Sequence, residues 1–295
     1  MSGYVKITSL FLLRIVWLYF SLCSNSAFCE CLRIVPLSPV ATEIIFDMGL
    51  GDKVVATSSF TKYPTEADSL PKLGGLLDPN IELLLSLRPN LVILLPSQQA
   101  LMPVIKRAKI ATVFIEEGSI DKIIEAYGII GQFCALEAQA KVSSQLLSAR
   151  MKVAVDKFSL KKKLDVLVLV GSLISQGDLT PLYISGRDGI YTSLLESIGA
   201  NNPITGYTSS FSSLSSETIY KIRPDAIIQI APPGTDTQDQ KLKWRSDLNR
   251  LFNSSRDIPI LIIADDFASI PGPRMVQLLE VIGRFLLRVT DSPNS

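Results

Sequence analysis

Glu82–Ile93, reading ELLLSLRPNLVI, and Glu217–Ile228, reading ETIYKIRPDAII, are two versions of one phrase. Glu, Arg and Pro coincide, Asn90 corresponds to Asp225, and the apolar residues Leu84, Leu87, Val92 and Ile93 fall on Ile219, Ile222, Ile227 and Ile228. Each copy predicts a short helix halted by Pro and then a buried strand. Pro cannot continue a helix, and a run of branched apolar residues suits a sheet covered on both faces. A phrase written twice implies two similar lobes.

Around the first copy, strands are predicted at Arg33–Leu37, Lys53–Thr57, Leu91–Leu95 and Ala111–Ile115, with helices at Val40–Met48, Ile81–Leu87, Gln98–Arg107 and Ile120–Phe133. Such β-α-β alternation predicts a mostly parallel sheet covered by helices. Leu136–Lys157 lacks Gly and Pro and is rich in Ala, Gln, Lys, Leu and Ser, which predicts about 30 Å of unbroken helix. Alternation then resumes, with strands at Leu164–Val170, Leu182–Ser185, Ala226–Ile230 and Ile260–Ala264 and helices at Ile190–Ile198, Lys241–Phe252 and Met275–Leu287. A looser echo links Thr42–Gly49 to Thr192–Gly199: a Thr, an apolar pair and a helix-ending Gly.

The expected fold class is therefore α/β: two lobes, each with a mostly parallel sheet flanked by helices, joined by a single long α-helix. The expected bounds are an amino-terminal lobe at 32–135, a linking helix at 136–158, a carboxyl-terminal lobe at 161–289 and a tail at 290–295. A ligand is expected between the lobes, against the loops at the carboxyl ends of the strands.

Composition removes several functions. The 295 residues suit two cores of about 100–150 residues each. A net charge of +1, with no Lys/Arg stripe interleaved with aromatics, offers nothing to nucleic acid. Histidine is absent, so no Ser-His-Asp or Cys-His arrangement, HExxH zinc site or imidazole cluster is available. No phosphate-binding Gly loop occurs, and Gly74–Gly75 and Gly186–Gly189 read as turns. No enzyme and no resident cofactor are expected.

Residues 1–29 read as a secretory signal: Lys6, an apolar stretch Leu10–Leu22 interrupted by Arg14, then small polar residues Ser24–Ala27. Export to the periplasm is expected, and an uncleaved amino-terminal anchor is the alternative. None of Cys23, Cys29 or Cys31 sits in a lipoprotein context. Cys134, in Gly131–Ala135, reads as an inert buried residue, with a bridge to Cys29 or Cys31 as the alternative.

Arg33–Pro39 followed by Thr42–Ile44, then Tyr63–Pro64, Leu73–Gly75, Asn80–Ile93 and Pro273–Arg274 together resemble the periplasmic solute-binding proteins of the cobalamin and iron-chelate ABC importers. The likeness runs from about residue 32 to 288. It implies a helical-backbone (class III) binding fold, a monomer that captures a metal chelate and hands it to a permease dimer with its ATPase. The resemblance places permease docking at Glu82 and Glu217. Both acids also suit a helix start. It places the ligand wall at Ser38, Pro39, Phe60 and Tyr63 in the first lobe and Tyr183, Phe211, Phe267 and Arg274 in the second. The expected ligand is cobalamin or a related corrinoid, or a ferric siderophore. Haem, held axially by Tyr63, Tyr183 or Tyr207, is the alternative, as is a ligand sensor or an enzyme on the same scaffold.

Overall fold

The computed structural model describes residues 31–171, 182–204, 211–214, 221–235, 237–252 and 258–291. Glu217, Tyr207 and the signal segment 1–29 lie outside the described residues, as does the side chain of Phe211.

The first lobe begins with β1 (Ile34–Pro36) and α1 (Pro39–Asp47). Ser38 caps α1 by accepting from Ala41 N at 3.2 Å, and Pro39 occupies the first turn, where its missing N–H is no loss. Next come α2 (Thr65–Asp68), α3 (Ile81–Ser86), β2 (Leu91–Leu94), α4 (Met102–Arg107), β3 (Ala111–Phe114) and α5 (Ile120–Phe133). The strands form one parallel sheet in the order β1-β2-β3. Alternation along them sends Val35, Val92 and Leu94 toward Leu84 and Ile105. The opposite residues Ile34, Leu91 and Ile93 pack with Ile44, Ile123 and Tyr127 of α1 and α5. Because both faces are covered, every β2 position is buried, as the unbroken apolar run predicted.

The long helix is α6 (Glu137–Phe158). Its amino half is tied to the first lobe, since Gln139 donates to Met48 O and Ser143 Oγ to Asp47 O at 3.1 Å. The second lobe contains β4 (Val166–Val170), β5 (Leu182–Ser185), α7 (Ile190–Ser197), β6 (Phe211–Leu214), β7 (Ala226–Ile230), α8 (Gln238–Leu251), β8 (Ile260–Ile263) and α9 (Met275–Asp291). Its sheet order is β6-β5-β4-β7-β8, parallel across β4, β7 and β8 and antiparallel at β5 and β6. Leu147, Met151, Ala154 and Phe158 on the inner face of α6 join one hydrophobic cluster that runs through both lobes and α9. Gly283 makes this close approach possible, because a Cβ there would collide with the Phe158 ring. A shared core of this kind opposes large lobe rotations.

Several expectations change. Lys53–Thr57 is not a strand: a 3-10 turn at Gly51–Lys53 takes its first residue, and only single bridges form at Val54 and Thr57. Pro96–Leu101 is a 3-10 turn before α4, so the expected helix at Gln98–Arg107 has a tighter start. Phe211 begins an edge strand that alternation missed, because Phe211–Leu214 carries two serines and little apolar signal.

Cys134 is not an inert thiol. It is bonded to Cys31, with Cα atoms 5.3 Å apart across a sequence separation of 103 residues. The chain enters β1 beside the carboxyl end of α5, a juxtaposition that no local pattern announces. The Thr echo, in contrast, has a local cause. Thr42 Oγ1 donates to Ser38 O at 3.0 Å and Thr192 Oγ1 to Gly186 O at 2.8 Å, so each hydroxyl ties a helix's first turn to the loop before it.

Candidate functional site

In the first lobe, the loops beyond the strand carboxyl ends are held by a buried Gln and a part-buried Lys. Gln98 Nε2 donates to Leu37 O at 2.9 Å and Leu76 O at 2.8 Å, while its Oε1 accepts from Leu95 N at 2.9 Å. Lys72 Nζ donates to Thr61 O at 2.8 Å, Ala67 O at 3.1 Å and Thr57 Oγ1 at 3.1 Å. Ser59 N reaches Gly74 O at 2.8 Å, joining the two loops. With its backbone so fixed, this surface holds Phe60, Tyr63 and Leu77 exposed. Exposed apolar side chains on a braced loop are suited to covering a large ligand face with little rotamer loss.

Arg274 opens α9 and crosses to the other lobe. It and its partner Glu43 on α1 are only 8% and 3% exposed. Arg274 Nε and Nη2 donate to Glu43 Oε1 at 3.0 and 2.6 Å. On its own lobe, Nη1 and Nη2 grip Asp266 bidentately at 3.0 and 2.9 Å. The Tyr63 ring lies against the guanidinium, 4.1 Å from its centroid. This is an interlobe clasp in which a cation is held by two carboxylates and an aromatic face. Gly272 permits it, since a Cβ there would stand 2.9 Å from Glu43 Oε2.

Burial pushes the Glu43 carboxyl above its ordinary range, with Arg274 opposing the shift. The hydrogen bonds from Arg274 hold the more open Asp266 below its range against a smaller burial effect. Glu43 Oε2 has no hydrogen-bond partner among the described residues. The clasp is thus a tightly held but electrostatically costly contact.

Beside it lies a cavity of about 750 Å³ whose walls include Phe46, Asp47, Tyr63, Arg150 and Gln277. Phe46 and Asp47 are at the carboxyl end of α1, away from Ser38, and Arg150 belongs to α6. The cavity is therefore lateral to the strand-end loops, and Tyr63 and Arg274 line it as well. Asp47 also accepts the Tyr127 hydroxyl at 2.5 Å, and burial, reinforced by that hydrogen bond, pushes the phenol's pKa upward.

The ligand-wall residues inferred from sequence divide accordingly. Phe60, Tyr63 and Tyr183 are exposed. Ser38 is buried and occupied as a helix cap, with Pro39 beside it. Phe267 packs partly against the shared core, and Arg274 is spent on the clasp. Glu82 lies exposed in the first turn of α3, whose cap is Asn80 accepting from Leu83 N at 2.9 Å. Sequence reasoning missed Leu77, Lys72, Gln98 and the role of Glu43. Leu77 follows the quoted Gly74–Gly75 turn and was open to notice. Glu43 required the fold. Among the described residues, no group of three or more acids and cysteines is placed to hold a metal ion.

Comparison with known proteins agrees with this architecture. A family model described as periplasmic binding protein matches residues 34–251. A vitamin B12-binding protein from Pectobacterium atrosepticum is 22% identical over 284 residues, covering 95% of this chain and 97% of that protein. Among solved structures, a possible iron-binding (periplasmic solute-binding) protein from Staphylococcus epidermidis superimposes with a TM-score of 0.71 and 25% identity, covering 86% of this chain and 98% of that one. The apo periplasmic haem-binding protein of Roseiflexus sp. RS-1 gives a TM-score of 0.73 at 23% identity, covering 88% and 99%. With two sheet-bearing lobes bridged by α6 and a family match across most of its length, the chain belongs to the periplasmic binding protein family.

Proposed function

We propose that the protein is the exported substrate-binding component of an ABC importer, capturing a corrinoid or ferric siderophore between its lobes and passing it unaltered to a permease. The observation that carries this reading is the braced loop surface presenting Phe60, Tyr63 and Leu77 at the carboxyl ends of a parallel sheet. Saturation of Arg274 by Glu43 and Asp266 favours a corrinoid, held mainly through apolar area, over an anionic ferric siderophore that needs an available cation. ATP is used by the partner, and no chemistry is assigned to this chain. Purification from medium supplied with cobalamin and ferric siderophores should return protein carrying a corrinoid absorption band. Recovery of colourless protein, with no binding by titration, would remove the ligand class.

Haem is the second reading, favoured by the exposed phenol of Tyr63 beside the clasp. It predicts a Soret band that Tyr63→Phe shifts or abolishes. Delivery is assigned to Glu82 and Glu217 as docking acids. Exposed Glu–Arg pairs contribute about 0–1 kcal/mol each and act chiefly on orientation and encounter. Glu82→Ala with Glu217→Ala should abolish uptake in cells while ligand affinity stays at the parental value. Undiminished uptake by the double variant would sink the assignment.

A further inference from the structure

We infer that the outer face of α6 is an interaction surface for an anionic phospholipid membrane, used when the protein is not docked to a permease. The inner face of α6 is consumed by packing at Ala140, Leu147, Met151, Ala154 and Phe158. The opposite face carries Val142, Leu146 and Val153, exposed by 65, 57 and 65%. Exposed Ala138 and Ala149 lie in the same stripe, so apolar residues recur every third or fourth position along the solvent side. Isolated exposed apolar residues need no explanation, but an aligned stripe on a helix already buried on its other side does.

The charges beside the stripe select the occupant. At about 100° per residue, Lys141 and Lys152 border one side, and Arg150 and Lys157 border the other, all exposed. Lys161–Lys163 extend the basic surface past the helix end; of the acids on α6, Glu137 lies off the stripe and exposed Asp156 closes its carboxyl end. An apolar stripe between two basic rails matches a membrane interface, with aliphatic side chains at the acyl boundary and cations at the headgroups. A second copy on the same face would set lysines against lysines.

The stripe lies opposite the packed face of α6, and Arg150 at its border also lines the cavity shared with Tyr63 and Arg274. α5 starts beyond the carboxyl end of β3 and runs back, and α6 ends by feeding the amino end of β4. α6 therefore lies on the amino-end side of both sheets. Lipid contact through it points the strand-end loops away from the membrane, open to arriving ligand, and docking through Glu82 requires release.

The test is partition of the full chain between buffer and vesicles of phosphatidylcholine, with or without phosphatidylglycerol. At about 1 kcal/mol per headgroup-contacting cation, preference for the anionic vesicles should be at least about tenfold and should fall in high salt. Val142→Glu with Leu146→Glu, and separately Lys141→Glu with Lys152→Glu, should reduce the preference to about twofold or less, with parental melting temperatures confirming the fold. Three results would overturn the inference: equal partition into both vesicle types, preference unchanged in both variants, or a parental dimer in light scattering that the Val142/Leu146 variant dissociates. The second would assign binding to another surface, and the third would make the occupant a second copy.

Discussion

Arg274→Ala is expected to lower unfolding free energy by about 3–5 kcal/mol, because it leaves buried Glu43 and part-buried Asp266 without their shared cation. The loss should appear as a lower denaturant midpoint. Most of the penalty is the stranded charge, so Glu43→Leu with Arg274→Met, which removes the buried cation and its cross-lobe partner together, should recover a large part of it. Destabilisation by the double variant equal to the sum of the singles would contradict coupling through the clasp.

The pH dependence follows from the two acids. Asp266 is held below its ordinary range, so its contribution is present at neutral pH and lost as pH falls through its depressed value. Burial raises Glu43, so keeping it protonated favours the fold at low pH, and that benefit is lost as pH rises through its raised value. Without Arg274, Glu43 moves higher still. The destabilisation by Arg274→Ala should therefore be largest at neutral pH and shrink toward acid. A difference that grows on acidification would show that Glu43 is not the group left stranded.

Loss of the Cys31–Cys134 bond is expected to cost about 4–5 kcal/mol in the chain-entropy account, since the bond closes a loop of about 100 residues. Cys31→Ser with Cys134→Ser should unfold at correspondingly lower denaturant, and reductant should destabilise the parent but not the variant. The bond clips the entry to β1 onto the carboxyl end of α5, at the edge of the first lobe away from the ligand loops. Ligand affinity should therefore remain at the parental value where the variant is folded. Affinity lost in parallel with stability would mean that the bond shapes the site.

Only part of the site was legible in the sequence. Phe60 and Tyr63 were named because the family resemblance implies a ligand wall there, and both are exposed on a braced loop. The same resemblance implied Ser38 and Arg274, and the structure engages both with other groups of the protein. A Ser just before Pro and an apolar run is a helix-cap pattern, and that use takes its hydroxyl. Arg274 carries no local sign of its engagement, because Glu43 is 231 residues away.

The repeated Glu-to-Ile phrase and the uninterrupted stretch before residue 158 determined the two lobes, their parallel strands and the connecting helix. These depend on local chemistry: Pro stops helices, branched apolar runs make covered strands, and the spacing of Gly and Pro sets element length. The clasp, the Cys31–Cys134 bond, the edge strand β6 and the second exposed face of α6 were decided only by the tertiary structure. Each depends on which distant surfaces meet, or on which side of an element remains uncovered, and a helix apolar on two sides shows neither in its local pattern.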